Sequence, residues 1–253
     1  MHELRRHRLR AAAALRWRPE WRITLVVALA WVTLLATHDH QHHGQATPAV
    51  GPTPGLQQDA DGLLAPLPGW ALMTVAMMVP VTLPAVRHVG FNSIRPRRQR
   101  AMILYVVVYL GMWIAFGIPA HAVARLARQA FDLEGRVLLA LALVVAAGWQ
   151  LTHSKRRALF RCRRTVPLPP VGLRADAGCA RFALQQGWRC VTSCWALMAV
   201  TAVVGHSSHA GLVWMTALTA LAMLEELTLL GRHLLRPSAI ALALAAGLAL
   251  IGV

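Results

Sequence analysis

The sequence predicts an all-α protein, a polytopic bundle of about seven transmembrane helices (six spans also fit), with its N-terminus in the cytoplasm. Three observations lead there. Hydrophobic residues make up 57% of the chain at a mean hydropathy of +0.49, and charged residues only 14%, against about 25% in ordinary soluble domains. The apolar residues gather into runs long enough to cross, or nearly cross, a hydrocarbon layer. The 26 Lys and Arg residues behind the net charge of +16 fall in blocks between those runs. Such blocks are accounted for by topology and by attraction to anionic lipid, so no nucleic-acid partner is expected.

The elements follow in order. Residues 1–22 are a basic cytoplasmic segment with arginines at 5, 6, 8, 10, 16, 18 and 22. Residues 23–37 are the first transmembrane anchor, read as uncleaved because only a poor "GQA" at 44–46 offers a signal-peptidase site. Residues 38–68 form a His-, Pro- and Gly-rich outer loop without a single Lys or Arg. Residues 69–253 are the helical bundle, with spans near 69–86, 101–120, 137–152, 190–205, 212–231 and 238–253 and a basic cytoplasmic loop at 153–189. Arginines 87, 95, 97, 98 and 100 follow the second span, and the 153–189 loop carries nine basic residues including Lys155. The positive-inside rule puts these segments in the cytoplasm of a multi-pass inner (plasma) membrane protein. Arg125, Arg128 and Arg136 break the pattern, and "ARLARQAFDLEGR" reads as an amphipathic helix lying on the outer surface.

The second span opens "WALMTVAMMVP", with Trp70 as an interfacial anchor. Met73 and Met77 share a helix face and Met78 points about 100° further round. Pro80 frees the carbonyl of Ala76 and Pro84 that of Pro80, which predicts a kinked helix. Thioethers in such a place serve either as flexible packing or as soft ligands that favour Cu(I). The fifth span sets Cys190, Cys194 and Met198 four residues apart, aligning sulfur on one face over two turns. The sixth carries Glu225 and Glu226 roughly 10 Å from its cytoplasmic end. Each carboxylate costs about 2.5–3.5 kcal/mol to insert and marks a functional site unless it pairs with a neighbour such as Arg189 or Arg232. Because adjacent residues point about 100° apart, only one of the two is expected to face the interior. Depth matches across these helices, so Cys194, Met198, a glutamate and Met77 or Met78 can converge.

The outer loop begins with His38, Asp39, His40, His42 and His43. This is either a polar linker or a tether of nitrogen ligands, and imidazole suits zinc, copper, nickel or iron. Cys162, Cys179, Cys190 and Cys194 all fall near the reducing cytoplasmic side, and their spacings of 17, 11 and 4 match neither a disulfide framework nor a zinc finger. His88, His121, His206 and His209 are weaker candidates that read as polar trim at span ends, although His206 and His209, three apart, can make a pair.

"WALMTVAMMVP" followed by Pro84, "KRRALFRCRR", "CWALM" at 194–198 and "WMTALTALAMLEE" together resemble an uncharacterised bacterial family described as predicted metal-binding integral membrane proteins. The resemblance covers roughly residues 65 to 235. It implies an all-helical membrane protein whose metal site is built from the Met-Met-Pro helix, the cysteine helix and the later acidic helix. The chain departs from the family pattern at Ser193, where a cysteine is usual before Cys194, at Glu226, where a lysine is usual after Glu225, and at Ala158, where a cysteine is expected.

The leading functional expectation is a membrane protein that binds or handles a transition metal, copper before zinc, for capture, delivery or insertion. The ligands expected are Met73, Met77, Met78, Cys190, Cys194, Met198, Glu225, Glu226 and the outer His38, His40, His42 and His43. Its partners are then the bilayer and a metal-receiving or membrane-complex protein. A secondary transporter using intramembrane carboxylates and a scaffold subunit are the alternatives. A metalloenzyme needs open coordination positions that a sequence does not display, so the chain is read as more a carrier than an enzyme. Neither a Walker pattern nor a dinucleotide fingerprint is present, so no nucleotide is expected.

Overall fold

The computed structural model describes residues 20–43, 66–131, 134–162, 164–169, 172–204, 209–228 and 231–251, without the side chains of 37–43, 209, 210 and 232. Among the described residues the chain is all-helical. Eight α-helices follow one another: α1 (Trp21–His43), α2 (Leu67–Phe91), α3 (Arg98–Phe131), α4 (Gly135–Leu151), α5 (His153–Cys162), α6 (Leu173–Val204), α7 (His209–Leu227) and α8 (Gly231–Ile251).

Four helical segments are long and apolar enough to cross a membrane: Leu67–Phe91, Arg95–Phe131, Leu173–Val204 and His233–Ile251. A fifth arises if α4 and α5, bent by 72° at Thr152, are counted as one broken span. The apolar part of α1, Trp21–Ala36, is shorter, and α7 is not among these segments. Among the described residues, length and composition alone support four or five of the seven expected spans.

Three boundaries differ from the sequence reading. Helix α1 runs on through His43, past the expected loop start at His38, because no glycine or proline interrupts the chain between Pro19 and Gly44. Residues 121–131 continue α3 rather than forming a separate surface helix; Pro119 sits inside that helix without ending it. Much of the expected 153–189 loop is also helical. Ala175, Cys179, Phe182, Ala183 and Gln186 are buried at three- and four-residue spacing, so the basic stretch hides the inner face of α6.

Polar contacts order the helix ends. Glu20, just before α1, accepts a 2.6 Å bond from Arg87 near the end of α2. Arg97 and Arg100, at the start of α3, pair with Asp176 at the start of α6. At the opposite end Arg128 of α3 donates to the carbonyl of Val203 in α6 (2.8 Å). Helices α1 and α2 thus run antiparallel, whereas α3 and α6 run parallel with their basic starts together.

Packing between α2 and α3 corrects the reading of Trp70. It is not an interfacial anchor but is 2% exposed, lying over Gly117 and donating from its indole to the carbonyl of Trp113 (3.0 Å). The carbonyl of Ala76, which Pro80 cannot satisfy, accepts from the indole of Trp31 in α1 (3.1 Å). That bond helps fix α1 against α2.

Candidate metal centre

Helices α3, α6 and α7 meet around a small cluster of polar and sulfur atoms. Cys190 and Cys194 lie one turn apart on the buried face of α6, as their spacing of four requires. Glu226 enters from α7, with one carboxylate oxygen 3.3 Å from Sγ of Cys194 and 3.7 Å from Sγ of Cys190. One ligand atom from each of the three residues lies within 4.8 Å of the others, and all three residues are buried. The four cysteines are free thiols. From α3, the hydroxyl of Tyr109 sits 3.0 Å from Sγ of Cys190 and 3.5 Å from the carbonyl oxygen of Met78. It therefore links the cysteine face of α6 to the methionine run of α2.

A second polar group lies directly beside the first. The ammonium of Lys155 in α5 is 2.7 Å from Glu225 and donates to the carbonyl of Ser193 (2.8 Å). Gln150 of α4 and Ser238 of α8 donate to the other oxygen of Glu225 at 2.6 and 3.3 Å. Lys155 and Glu225 are both 0% exposed. Isolated in an apolar interior either charge is prohibitive, and the pair survives because each charge meets the other and a set of dipoles.

Both glutamates therefore face the interior, contrary to the expectation that only one would. Their side chains diverge, but α7 is enclosed on two sides, so Glu226 meets the α6 thiols while Glu225 meets α4, α5 and α8. Glu225 pairs with Lys155, not with Arg189, which donates instead to the carbonyl of Arg161 (3.3 Å).

The remaining expected ligands are placed as follows. Met73, Met77 and Met78 are buried on α2, and Met198 is buried one turn beyond Cys194 on α6. Met78 reaches the cluster through its backbone contact with Tyr109. His38, His40, His42 and His43 lie at the far end of α1, with side chains outside the described residues. Eighteen residues separate Glu20 from His38, about 27 Å of helix, so the tract lies at the end of α1 opposite the Glu20–Arg87 pair. His206 lies outside the described residues, as does the side chain of His209.

Lys155 is the member sequence reasoning missed, since it hides in the basic run "KRRALFRCRR". A signal for it exists in the composition: it is the single lysine among the 26 Lys and Arg residues. A compact ammonium can be enclosed by one carboxylate and one carbonyl, whereas a guanidinium presents five donors that a dry pocket must satisfy.

The donor set suits a soft, thiophilic ion. Two thiols that become thiolates on binding and a carboxylate match copper(I) or zinc and do not match magnesium or calcium, which take oxygen ligands.

A family model described as PpoB2, copper chaperone, matches residues 67–249, the span that contains every group of the cluster. That is a metal-related family, but not the predicted metal-binding integral membrane protein family that the sequence resembles. No curated protein and no solved structure matches the chain.

Proposed function

Because the chain belongs to the PpoB2 family, described as copper chaperones, we propose that it is a multi-pass membrane protein carrying a copper ion as cargo at Cys190, Cys194 and Glu226 and passing it to a receiving protein. The observation that carries this reading is the meeting of two buried thiols and one buried carboxylate within 4.8 Å. A buried thiol pair spaced four apart needs no metal to be stable. A carboxylate brought from another helix to lie against both sulfurs, in an apolar bundle, has a cost that a bound cation offsets.

The protein supplies the donors and the dry surroundings. Cys190 and Cys194 offer sulfur from one rigid helix face, and Glu226 offers an oxygen from α7. Tyr109 holds Cys190 through its hydroxyl, 3.0 Å from Sγ. Met77, Met78 and Met198 add thioethers that favour Cu(I) over Cu(II). Lys155, by occupying Glu225, leaves Glu226 as the acid free to face the ion. The histidines at the far end of α1 would collect ions outside the membrane, with the arginine-rich end in the cytoplasm of a bacterial inner membrane.

The test is Cu(I) titration of detergent-purified protein, without a His tag, against a chelator of known affinity. One tightly held ion per chain is expected, surviving replacement of His38, His40, His42 and His43 by serine. Cys190→Ser, Cys194→Ser and Glu226→Gln should each weaken it at least tenfold. Undiminished binding in the Cys190→Ser/Cys194→Ser protein would remove the site from this location.

A further inference from the structure

Helix α5 carries a second site that copper handling does not use. Its inner face is Lys155, Ala158, Leu159 and Cys162, all buried at the three- and four-residue spacing of one helical stripe. Its outer face is Arg156, Arg157, Phe160 and Arg161, and with Arg164 just beyond the helix these residues line a shallow basin of about 420 Å³. Arg164 stands over the ring of Phe160, 5.1 Å from its centroid. The phenyl group is nevertheless 67% exposed.

The four guanidiniums have no counter-ion in the described chain. Glu20 pairs with Arg87, Asp176 with Arg97 and Arg100, Glu134 with Arg136, and Glu225 with Lys155, while Glu226 faces the thiols. No described carboxylate is left for the basin, so among the described residues its four positive charges are unneutralised. Resting on the membrane reading above, we infer that this basin binds the phosphate headgroup of an anionic phospholipid in the leaflet at the arginine-rich end of the bundle.

Two features favour a lipid over an acidic protein or a free anion. The 72° bend at Thr152 turns α5 nearly perpendicular to α4, so its arginines lie along the membrane plane where the apolar α4 ends. A depth marker agrees. Trp188 on α6 is 63% exposed, and its neighbour Arg189 donates to the carbonyl of Arg161. An exposed tryptophan on an apolar bundle belongs at the headgroup level, which places Arg161 there too. Phe160, outward among cations, then points toward acyl chains while guanidiniums fork onto phosphate oxygens.

The experiment uses the full chain, delipidated in mild detergent and titrated with short-chain phosphatidylglycerol and, separately, phosphatidylcholine. Binding is read by native mass spectrometry. Phosphatidylglycerol should bind at least tenfold tighter, and the preference should fall about fivefold for each arginine lost in Arg156→Gln, Arg157→Gln, Arg161→Gln and Arg164→Gln combinations. Arg125→Gln/Arg128→Gln, at the opposite end of α3, should leave it unchanged.

Equal affinity for the two lipids in the unaltered chain overturns the proposal whether or not any variant folds. So does a preference that the four-arginine variant retains, or one abolished by millimolar inorganic phosphate. Copper stoichiometry in the same samples separates this site from the thiol cluster. A chain that enters no bilayer of either lipid refutes the membrane reading itself; one that enters both without preference refutes only the lipid site.

Discussion

At the scale of single residues, the cluster divides into groups that meet the ion and groups that make their burial tolerable. Lys155 belongs to the second kind. Replacing it by methionine leaves Glu225 with Gln150 and Ser238 but without a counter-charge, a defect that typically costs about 3–5 kcal/mol. Removing both charges should recover most of that. Lys155→Met is therefore expected to unfold at a much lower temperature than the parent in detergent, and Lys155→Met/Glu225→Gln close to it. Equal losses in single and double variants would show that the lysine matters through packing alone. That Cys190 and Cys194 share a helix face and that a glutamate lies at their depth was legible in the sequence, because four-residue spacing fixes a face and distance from a basic flank gives depth; which glutamate was not. Lys155 was not, because topology explains a lysine among arginines so readily that burial is not considered. Glu225 was misread for a related reason: helical periodicity says how far apart two side chains point, not how many neighbours enclose the helix.

At the scale of elements, sequence periodicity found the apolar runs but placed several of their ends wrongly. Helix α6 begins at Leu173, well before the expected span at Cys190, since arginines on its outer face disguise a buried stripe. Trp70 shows the same limit: aromatic residues near a span end usually mark the interface, but here a glycine on the facing helix admits the indole to the interior. A Cβ at Gly117 would stand 2.3 Å from Nε1 and 2.5 Å from Cδ1 of Trp70, and the ring is held by its bond to Trp113. Gly117→Ala should therefore push α2 from α3 and destabilise the protein by about 1–3 kcal/mol, the usual range for overpacking. Thermal unfolding in detergent checks this. On a Trp70→Leu background the alanine should cost far less, and an undiminished cost there would locate the effect in α3 alone. The same displacement would move Tyr109 and Met78, so reduced copper affinity in Gly117→Ala is expected as well.

At the scale of the whole molecule, the ion pairs near the helix starts and the bond from Arg128 to Val203 fix α1 antiparallel to α2 and α3 parallel to α6, but not the number of crossings. The ambiguity lies in α1 and α7. Helix α1 is short in apolar length, yet Trp31 ties it to the middle of α2, and Arg87 ties its start to the end of α2. A helix attached at both levels runs alongside its neighbour and should cross with it. Helix α7 carries two acids, but both face protein, so its outward surface, with Val213 and Leu224 exposed, remains suited to lipid. If both cross while α5 lies on the surface, the spans number seven, and a chain that starts in the cytoplasm ends outside. A reporter enzyme active only outside the inner membrane should then be active when fused after Val253 and silent when fused at the N-terminus. Activity at both ends or at neither would mean an even number of crossings, with α1 the first helix to lose. That result would place the histidine tract and the arginine-rich end on the same side of the membrane, leaving ion capture and the thiol cluster without a bilayer between them.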